Sequence, residues 1–195
     1  GLSKMEELYK TINFLIKQNS KYKSKENLSV LQCTSTYPTL DNETNLDVIN
    51  SISKNKNVTP GYSDHTIGNL ALKIAYSMGA QVLEFHFTDT RKNKTFRDHK
   101  VSLTSQETIE LINDINRIRK LKGSSIKKPT NNEIKTKHIK TFRRAVFLNK
   151  DWPKGYRIRE KDLIALRPNI GLDARNYKKI IGKKLKRKIK KLEKL

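Results

Sequence analysis

Short apolar runs alternate with amphipathic segments along the first 122 residues, and this alternation limits the fold more than any other feature of the chain. Three runs are short enough to be strands, and the segments around them repeat apolar residues every three or four positions. The predicted strands cover 28–34, lead up to 63–65 and begin at 82. The predicted helices cover 3–19, 46–53, 67–78 and 104–121. Helices and strands in this order are typical of a parallel α/β protein.

Local signals mark the ends of these predicted helices. Ser3 with Glu6, and Thr104 with Glu107, have the spacing of a capping box, which opens a helix. Gly79 follows the third helical segment, and glycine commonly ends a helix because it adopts the left-handed conformation. The sequence therefore predicts where the first and last helices begin and where the third one ends.

Polar residues spaced two apart stand at the end of each predicted strand. The pairs are Ser35 with Tyr37, Ser63 with His65, and Glu84 with His86. Side chains in a strand alternate between faces, so the two members of a pair project in the same direction. The sequence therefore predicts an active site where these strands end, at the top of an α/β barrel. Three strands are too few to close a barrel, and we expect its N-terminal strands to be missing from this chain.

The composition changes after residue 122. Residues 123–140 are polar, contain Gly, Ser and Pro, and carry no apolar stripe, which is typical of a linker. Residues 141–195 predict a small, mostly β module with two extended runs, 144–149 and 163–167, separated by a turn and a short helical turn. A module of this size is near the lower limit for folding alone.

The chain is strongly basic, with 42 Lys and Arg residues against 19 Asp and Glu and a formal net charge of +23. Such a balance favours nucleic acid or another anionic partner, and a continuous basic helix over 178–195 would contact phosphates. However, the lysines are spread through every segment together with Asn and Ile, as coding bias produces, and Leu185 and Ile189 fit short extended pieces. We therefore expect no nucleic-acid partner, and nucleic-acid binding stays an alternative.

The cysteine content and the hydropathy pattern bear on location. The single cysteine, Cys33, excludes an intramolecular disulfide and fits a reducing cytoplasm. No apolar run reaches the roughly 18–20 residues that span a bilayer. We therefore expect a cytoplasmic protein without a membrane partner.

Six ordered motifs resemble those of the sialic acid synthases, which make nine-carbon sugar acids from phosphoenolpyruvate and an N-acetylated hexose. The motifs lie at 33–39, 61–66, 84–88, 98–103, 128–130 and 166–171. Any one of them is weak evidence, but together and in this order they cover nearly the whole chain. The resemblance implies that residues 1–122 are the C-terminal portion of a TIM (β/α)8 barrel, that 123–140 are a linker, and that 141–195 are a SAF, or antifreeze-like, domain.

The resemblance also implies a role for most residues of the predicted site. His65 and His86 match two ligands of a divalent metal, with Mn²⁺ expected first and Mg²⁺ or Co²⁺ as alternatives, and such a metal polarises the sugar aldehyde. Glu84 lies on the same face as His86 and is the candidate for positioning or deprotonating the attacking water. The other matches are Ser35 and Ser63 for phosphoenolpyruvate, Tyr37 and Asp98 for the sugar, and Arg167, which one subunit of a domain-exchanged dimer contributes to the other subunit's site.

The enzyme implied by the resemblance is a metal-dependent transferase that joins phosphoenolpyruvate to an N-acetylated hexose, such as N-acetylmannosamine, and releases phosphate. Relatives often read Pro-Gly-Pro-Asp before a His-Lys pair, whereas this chain has Thr95–Asp98 there. Because this segment would lie beside the sugar, a legionaminate- or pseudaminate-type synthase is an alternative. The expected lack of early barrel strands predicts no turnover from these 195 residues alone, and it leaves a catalytically inactive sugar-binding or structural product as a further alternative.

Structural roles are the competing interpretation for four of these residues. A single histidine near a strand end is more often structural than a metal ligand. Glu84 would in that case orient a neighbouring lysine, and Tyr37 would pack the turn that precedes Pro38. For the two histidines within these motifs, we favour metal binding.

Overall fold

The computed structural model describes all 195 residues, which form two compact units, Gly1–Ser125 and Ile126–Leu195. The predicted division of the chain at residues 122 and 140 stays a prediction. The segment predicted as a linker contains two helices of five residues each. No helix in the chain combines the length and the apolar character needed to cross a membrane.

The first unit is built on three parallel strands, as the alternating pattern predicts. Its elements are α1 Met5–Gln18, β1 Ser29–Cys33, α2 Val48–Ile52, β2 Thr59–Asp64, α3 Leu70–Met78, β3 Val82–Phe85, α4 Arg97–Val101 and α5 Ser105–Lys122. The strand order is β1-β2-β3, so β2 is central. The register aligns Cys33 with Ser63 and Ser63 with Glu84, which brings these three residues side by side across the sheet.

Two apolar clusters hold the helices against the sheet. The larger cluster includes Ile49 from α2, Tyr62 from β2, Leu72 from α3 and Leu111 from α5, each at most 3% exposed. The smaller cluster joins α1 and α2 to the segment before β2. Burial of a side chain of this size stabilises a fold by about 1.5–3 kcal/mol, so these contacts fix the strand ends in place.

Two glycines are needed where they stand. A Cβ atom on Gly61, in the central strand, would lie 2.7 Å from the Val82 carbonyl oxygen and 2.8 Å from Cγ of Leu31, so a larger residue would push both neighbours away. Gly79 has a φ of +112° and its N–H bonds the Tyr76 carbonyl, which ends α3 as predicted.

The start of α1 differs from the prediction, whereas the start of α5 agrees with it. At α1 the N-cap is Lys4, whose N–H donates to the Glu7 carboxylate at 2.7 Å, so the predicted Ser3–Glu6 capping box is wrong by one residue. The Ser3 hydroxyl donates instead to the Gly1 carbonyl. At α5 Thr104 and Glu107 form the predicted capping box.

The second unit is small and mostly extended, as predicted. Its elements are α6 Asn131–Lys135, α7 His138–Phe142, β4 Ala145–Leu148 and β5 Leu163–Leu166, with 3₁₀ turns at Glu160–Asp162 and Ala174–Lys179. Strands β4 and β5 are antiparallel. Leu185 and Ile189 are buried in its core, and bridges tie Ile189 to Trp152 and Lys184 to Arg157. The basic C-terminal segment is therefore not a continuous helix.

Candidate active site at the strand ends

His65 and His86 lie side by side immediately after β2 and β3, with their ring centres 5.2 Å apart. His65 is buried and His86 is half-buried. A backbone hydrogen bond fixes each of these residues. The Thr39 N–H donates to the His65 carbonyl, and the Leu103 N–H donates to the His86 carbonyl, both at 2.8 Å. The fold therefore brings the two predicted ligands together and holds them there.

A backbone hydrogen bond determines which nitrogen of His65 is available. Its Nδ1 lies 2.8 Å from the Thr34 carbonyl oxygen. A carbonyl can only accept, so Nδ1 carries the hydrogen and, in the neutral ring, Nε2 holds a free lone pair. A second partner of this kind is typical of histidines that bind metals, because it fixes the tautomer and the ring orientation.

The separation between the two imidazole rings suits a shared divalent ion, to which the protein would supply two ligands. Imidazoles that each hold one ion at about 2.1 Å from nitrogen have ring centres roughly 5 Å apart, and the observed separation is 5.2 Å. No group of three or more His, Cys, Asp or Glu side chains in the chain has the arrangement of a metal site. Two histidines would leave most coordination positions to water or substrate.

Asp98 lies beside His86, and its predicted role in binding the sugar stays a prediction. Its Oδ2 is 3.9 Å from Nδ1 of His86, which is an ion-pair distance when the ring is protonated. Its Oδ1 is buried and has no hydrogen-bond partner. An unpaired buried oxygen is costly unless a ligand or water satisfies it, so Asp98 offers an acceptor to a bound hydroxyl.

Tyr37 packs against both histidines. Its ring centre lies 4.0 Å from that of His65 and 5.7 Å from that of His86. The loop that carries it is closed by Thr39, whose hydroxyl donates to the Thr34 and Thr36 carbonyls. Tyr37 therefore forms one wall of the site in addition to its place in the turn before Pro38.

Ser63 and Glu84 form a hydrogen-bonded pair on the same face of the sheet. The Ser63 hydroxyl donates to Oε1 of Glu84 at 2.7 Å. Ser63 is 6% exposed, whereas Glu84 is exposed. One carboxylate oxygen is thus fixed by the serine while the other stays open to water.

The two remaining predicted residues form no hydrogen bond or ring contact with either histidine. Ser35 is exposed and its hydroxyl is 3.9 Å from the Cys33 sulfur. Arg167 belongs to the second unit, is exposed, and places its guanidinium 5.6 Å from the ring centre of Phe142. Their predicted roles stay predictions.

A buried hydrogen-bond chain supports the end of β2. The Tyr62 hydroxyl donates to Oδ1 of Asp64 at 3.0 Å, and the same oxygen accepts the Thr66 N–H at 2.9 Å. Burial, with a further contribution from the Asp64 charge, raises the pKa of Tyr62 well above its ordinary value. Tyr62 therefore stays protonated and anchors the residues on either side of His65.

Two residues near the site were not predicted from the sequence. Arg97 lies with its guanidinium carbon 4.7 Å from the Tyr37 ring centre. His99 lies in α4, is half-buried, and has Nδ1 2.9 Å from the Thr88 hydroxyl. The bulky, charged segment before Asp98 was the available signal for Arg97.

Comparisons with known proteins identify the family of this chain. Residues 1–127 match the model of the NeuB family, and residues 143–193 match that of the SAF domain. The chain is 36% identical to N,N'-diacetyllegionaminic acid synthase from Campylobacter jejuni over 94% of the chain and 53% of that protein. It is 32% identical to pseudaminic acid synthase from the same species over 97% of the chain and 53% of that protein.

A solved structure of a sialic acid synthetase is also similar to this chain. The N-acetylneuraminic acid (sialic acid) synthetase of Leptospira borgpetersenii, in complex with citrate, superposes with a TM-score of 0.61 at 26% identity. The alignment covers 71% of this chain and 46% of that one. The chain spans about half the length of the curated relatives it matches.

Proposed function

Since the chain belongs to the NeuB family and carries a SAF domain, we propose that it forms part of a synthase that condenses phosphoenolpyruvate with an N-acetylated hexose. The products are a nine-carbon nonulosonic acid and phosphate. One observation carries this proposal: two histidines at adjacent parallel strand ends lie 5.2 Å apart, with Tyr37 packed on both. The proposed architecture is the C-terminal portion of a TIM barrel, and the proposed setting is the cytoplasm.

His65 and His86 are the proposed ligands of a divalent ion, with Mn²⁺ first and Mg²⁺ or Co²⁺ as alternatives. When bound, such an ion supplies Lewis acidity to the aldehyde oxygen of the open-chain sugar. The protein contributes by fixing both rings: the Thr34 carbonyl holds Nδ1 of His65, and Leu103 holds the backbone of His86.

Glu84 is the proposed base. After C3 of phosphoenolpyruvate bonds to the aldehyde carbon, C2 becomes electron-poor and a water adds there, giving its proton to the open oxygen of Glu84. The resulting tetrahedral centre loses phosphate by cleavage of its C–O bond as the C2 ketone forms and the C2 hydroxyl gives its proton to the departing phosphate. The proton held by Glu84 passes to the alkoxide left by the aldehyde oxygen. The hydrogen bond from Ser63 keeps the carboxylate oriented toward that water.

The substrates are proposed to bind on either side of the histidines. Ser35 and Ser63 contact phosphoenolpyruvate, whereas Tyr37 and Asp98 contact the sugar. Arg167 reaches the site of a second subunit in a domain-exchanged dimer. Three strands line only part of such a site, so we propose that these 195 residues alone give no turnover.

The identity to legionaminic and pseudaminic acid synthases favours their sugars as alternatives to N-acetylmannosamine. The test is an assay of the whole protein with phosphoenolpyruvate, each N-acetylated hexose and Mn²⁺, read by mass spectrometry. Phosphoenolpyruvate carrying ¹⁸O in its bridging C–O–P position should deliver the label to phosphate and not to the sugar acid. Label retained in the acid would refute the proposed C–O cleavage, and absence of any sugar acid would refute the synthase proposal.

A further inference from the structure

Arg97 places a positive charge against the wall of the site. It is the first residue of α4, and its guanidinium carbon is 4.7 Å from the ring centre of Tyr37. The same Tyr37 ring also contacts His65 and His86. A cation over an aromatic face is attracted by the electrons of the ring, so this contact positions the guanidinium without using its N–H groups.

The donors of Arg97 have no acceptor in the protein. Its nearest carboxylate oxygen is Oδ1 of Asp98, 3.6 Å from Nε, and that oxygen has no hydrogen-bond partner. The Arg97 side chain is 67% exposed. It therefore pairs with Asp98 through charge alone and presents N–H groups that no hydrogen bond occupies.

The neighbouring cations differ from Arg97 in this respect. Arg91 pairs with Glu107 and also donates to the Ser102 carbonyl, and Lys94 pairs with Asp89. Both cations are held by short side-chain contacts, Arg91 to a residue of α5 and Lys94 to a residue of its own loop. Arg97 has only the 3.6 Å ion pair with Asp98, which involves Nε and leaves the two terminal nitrogens of the guanidinium without a partner.

We infer that Arg97 is a specificity-determining residue that binds an anionic substituent, phosphate or carboxylate, on the acceptor sugar. The planar guanidinium fork matches two oxygens of such a group, which a lysine cannot do. The sugar is the favoured source because Arg97 stacks on Tyr37 and adjoins Asp98, the two residues proposed to hold it. This inference rests on the proposed function, and phosphoenolpyruvate is the competing source of the anion.

Kinetics on the whole protein determine whether the anion bound by Arg97 belongs to the sugar or to phosphoenolpyruvate. We would compare N-acetylmannosamine with N-acetylmannosamine 6-phosphate in the wild type, Arg97→Met and Arg97→Lys, with Lys92→Met as a matched loss of charge in the same loop. We expect the wild type to prefer the phosphorylated sugar, and Arg97→Met to lose about 10- to 100-fold in kcat/KM for that sugar alone. Arg97→Lys should fall between, and Lys92→Met should match the wild type.

Three results would overturn the inference: equal losses with both sugars, a raised KM for phosphoenolpyruvate in Arg97→Met, or a wild-type preference for the neutral sugar. If no sugar supports turnover, the synthase proposal fails, and equilibrium binding of the same two sugars still decides the role of Arg97. Tighter binding of the phosphorylated sugar that Arg97→Met removes would support it. Equal binding of both sugars, or a preference unchanged in Arg97→Met, would refute it.

Discussion

The Ser63 hydroxyl donates a hydrogen bond of 2.7 Å to Oε1 of Glu84 across the β2–β3 pair. Glu84 is exposed, and the register of the sheet places it one strand from the buried serine. A carboxylate held by one oxygen keeps the other free, which is the arrangement that a general base requires.

Removing the base should reduce turnover far more than removing its support. We expect Glu84→Gln to lower kcat by about 10²- to 10⁴-fold, because the amide cannot take a proton. Ser63→Ala should lower kcat by about 10- to 100-fold and raise the KM for phosphoenolpyruvate. Glu110→Gln changes an exposed position of α5 and is the matched control, which should leave both kcat and the KM for phosphoenolpyruvate unchanged. A kcat within threefold of the wild type in Glu84→Gln would remove Glu84 as the base.

Direct metal binding tests the two histidines without turnover. The electron paramagnetic resonance signal of free Mn²⁺ should fall when the chain is added, because bound Mn²⁺ loses its sharp lines. We expect His65→Ala and His86→Ala each to weaken binding by more than about 10-fold, and a chelator to restore the free signal. His138→Ala, in the second unit, should bind as the wild type does. Binding of equal strength in all four proteins would exclude a site at His65 and His86.

Tyr62 should contribute to stability through its hydroxyl. We expect Tyr62→Phe to lower the free energy of unfolding by about 1–2 kcal/mol, because Asp64 loses a buried donor. Tyr9→Phe, at a partly exposed position on α1, should change it little. Urea unfolding followed by circular dichroism measures both.

The same hydroxyl should make stability depend on alkaline pH. The pKa of Tyr62 is raised in the folded state, so its contribution is complete below the unfolded value of about 10 and is lost as pH rises above it. Tyr62→Phe should therefore lose less stability than the wild type between about pH 9 and pH 11. Identical alkaline slopes in the two proteins would contradict this assignment.

Asp162 should make the second unit sensitive to acid. Burial opposes ionisation of its carboxyl, but hydrogen bonds from the Arg159 N–H and the Tyr156 hydroxyl outweigh burial and hold the pKa of Asp162 below its usual value. Its contribution is therefore present above the unfolded pKa of about 3.9 and is lost as pH falls through the folded pKa.

The only tryptophan, Trp152, reports on this unit because it stacks on Tyr156 at 3.7 Å. We expect Asp162→Asn to destabilise the unit at neutral pH and to flatten its loss of stability below about pH 4, as read by Trp152 fluorescence in urea. Glu160→Gln is a control at an exposed position of the same unit, and it should keep the wild-type acid slope. A wild-type slope in Asp162→Asn would place the acid sensitivity elsewhere.

The sequence predicted the elements of the first unit well because its signals are local. Apolar spacing located all three strands, Gly79 marked the end of α3, and Thr104 with Glu107 marked the start of α5. The start of α1 was misplaced because two adjacent glutamates offer two capping registers, and the preference for serine at an N-cap favoured the wrong one.

The candidate site was predictable only in part. Alternation along a strand places His65 on the same side as Ser63 and His86 on the same side as Glu84, and the motifs indicate their chemistry. It does not reveal that the Thr34 carbonyl orients His65, since any residue at that position has a carbonyl and only the closure of the loop aims it. Arg97 was missed because its contact with Tyr37 joins two segments about 60 residues apart in sequence, which no local pattern reveals.

The most direct measurement is Mn²⁺-dependent phosphate release from phosphoenolpyruvate by the whole protein, with and without an N-acetylated hexose. We predict release only when both the metal and the hexose are present, and loss of release in His65→Ala and in His86→Ala. Undiminished release in both variants, or equal release without the hexose, would contradict a synthase site built on these two histidines.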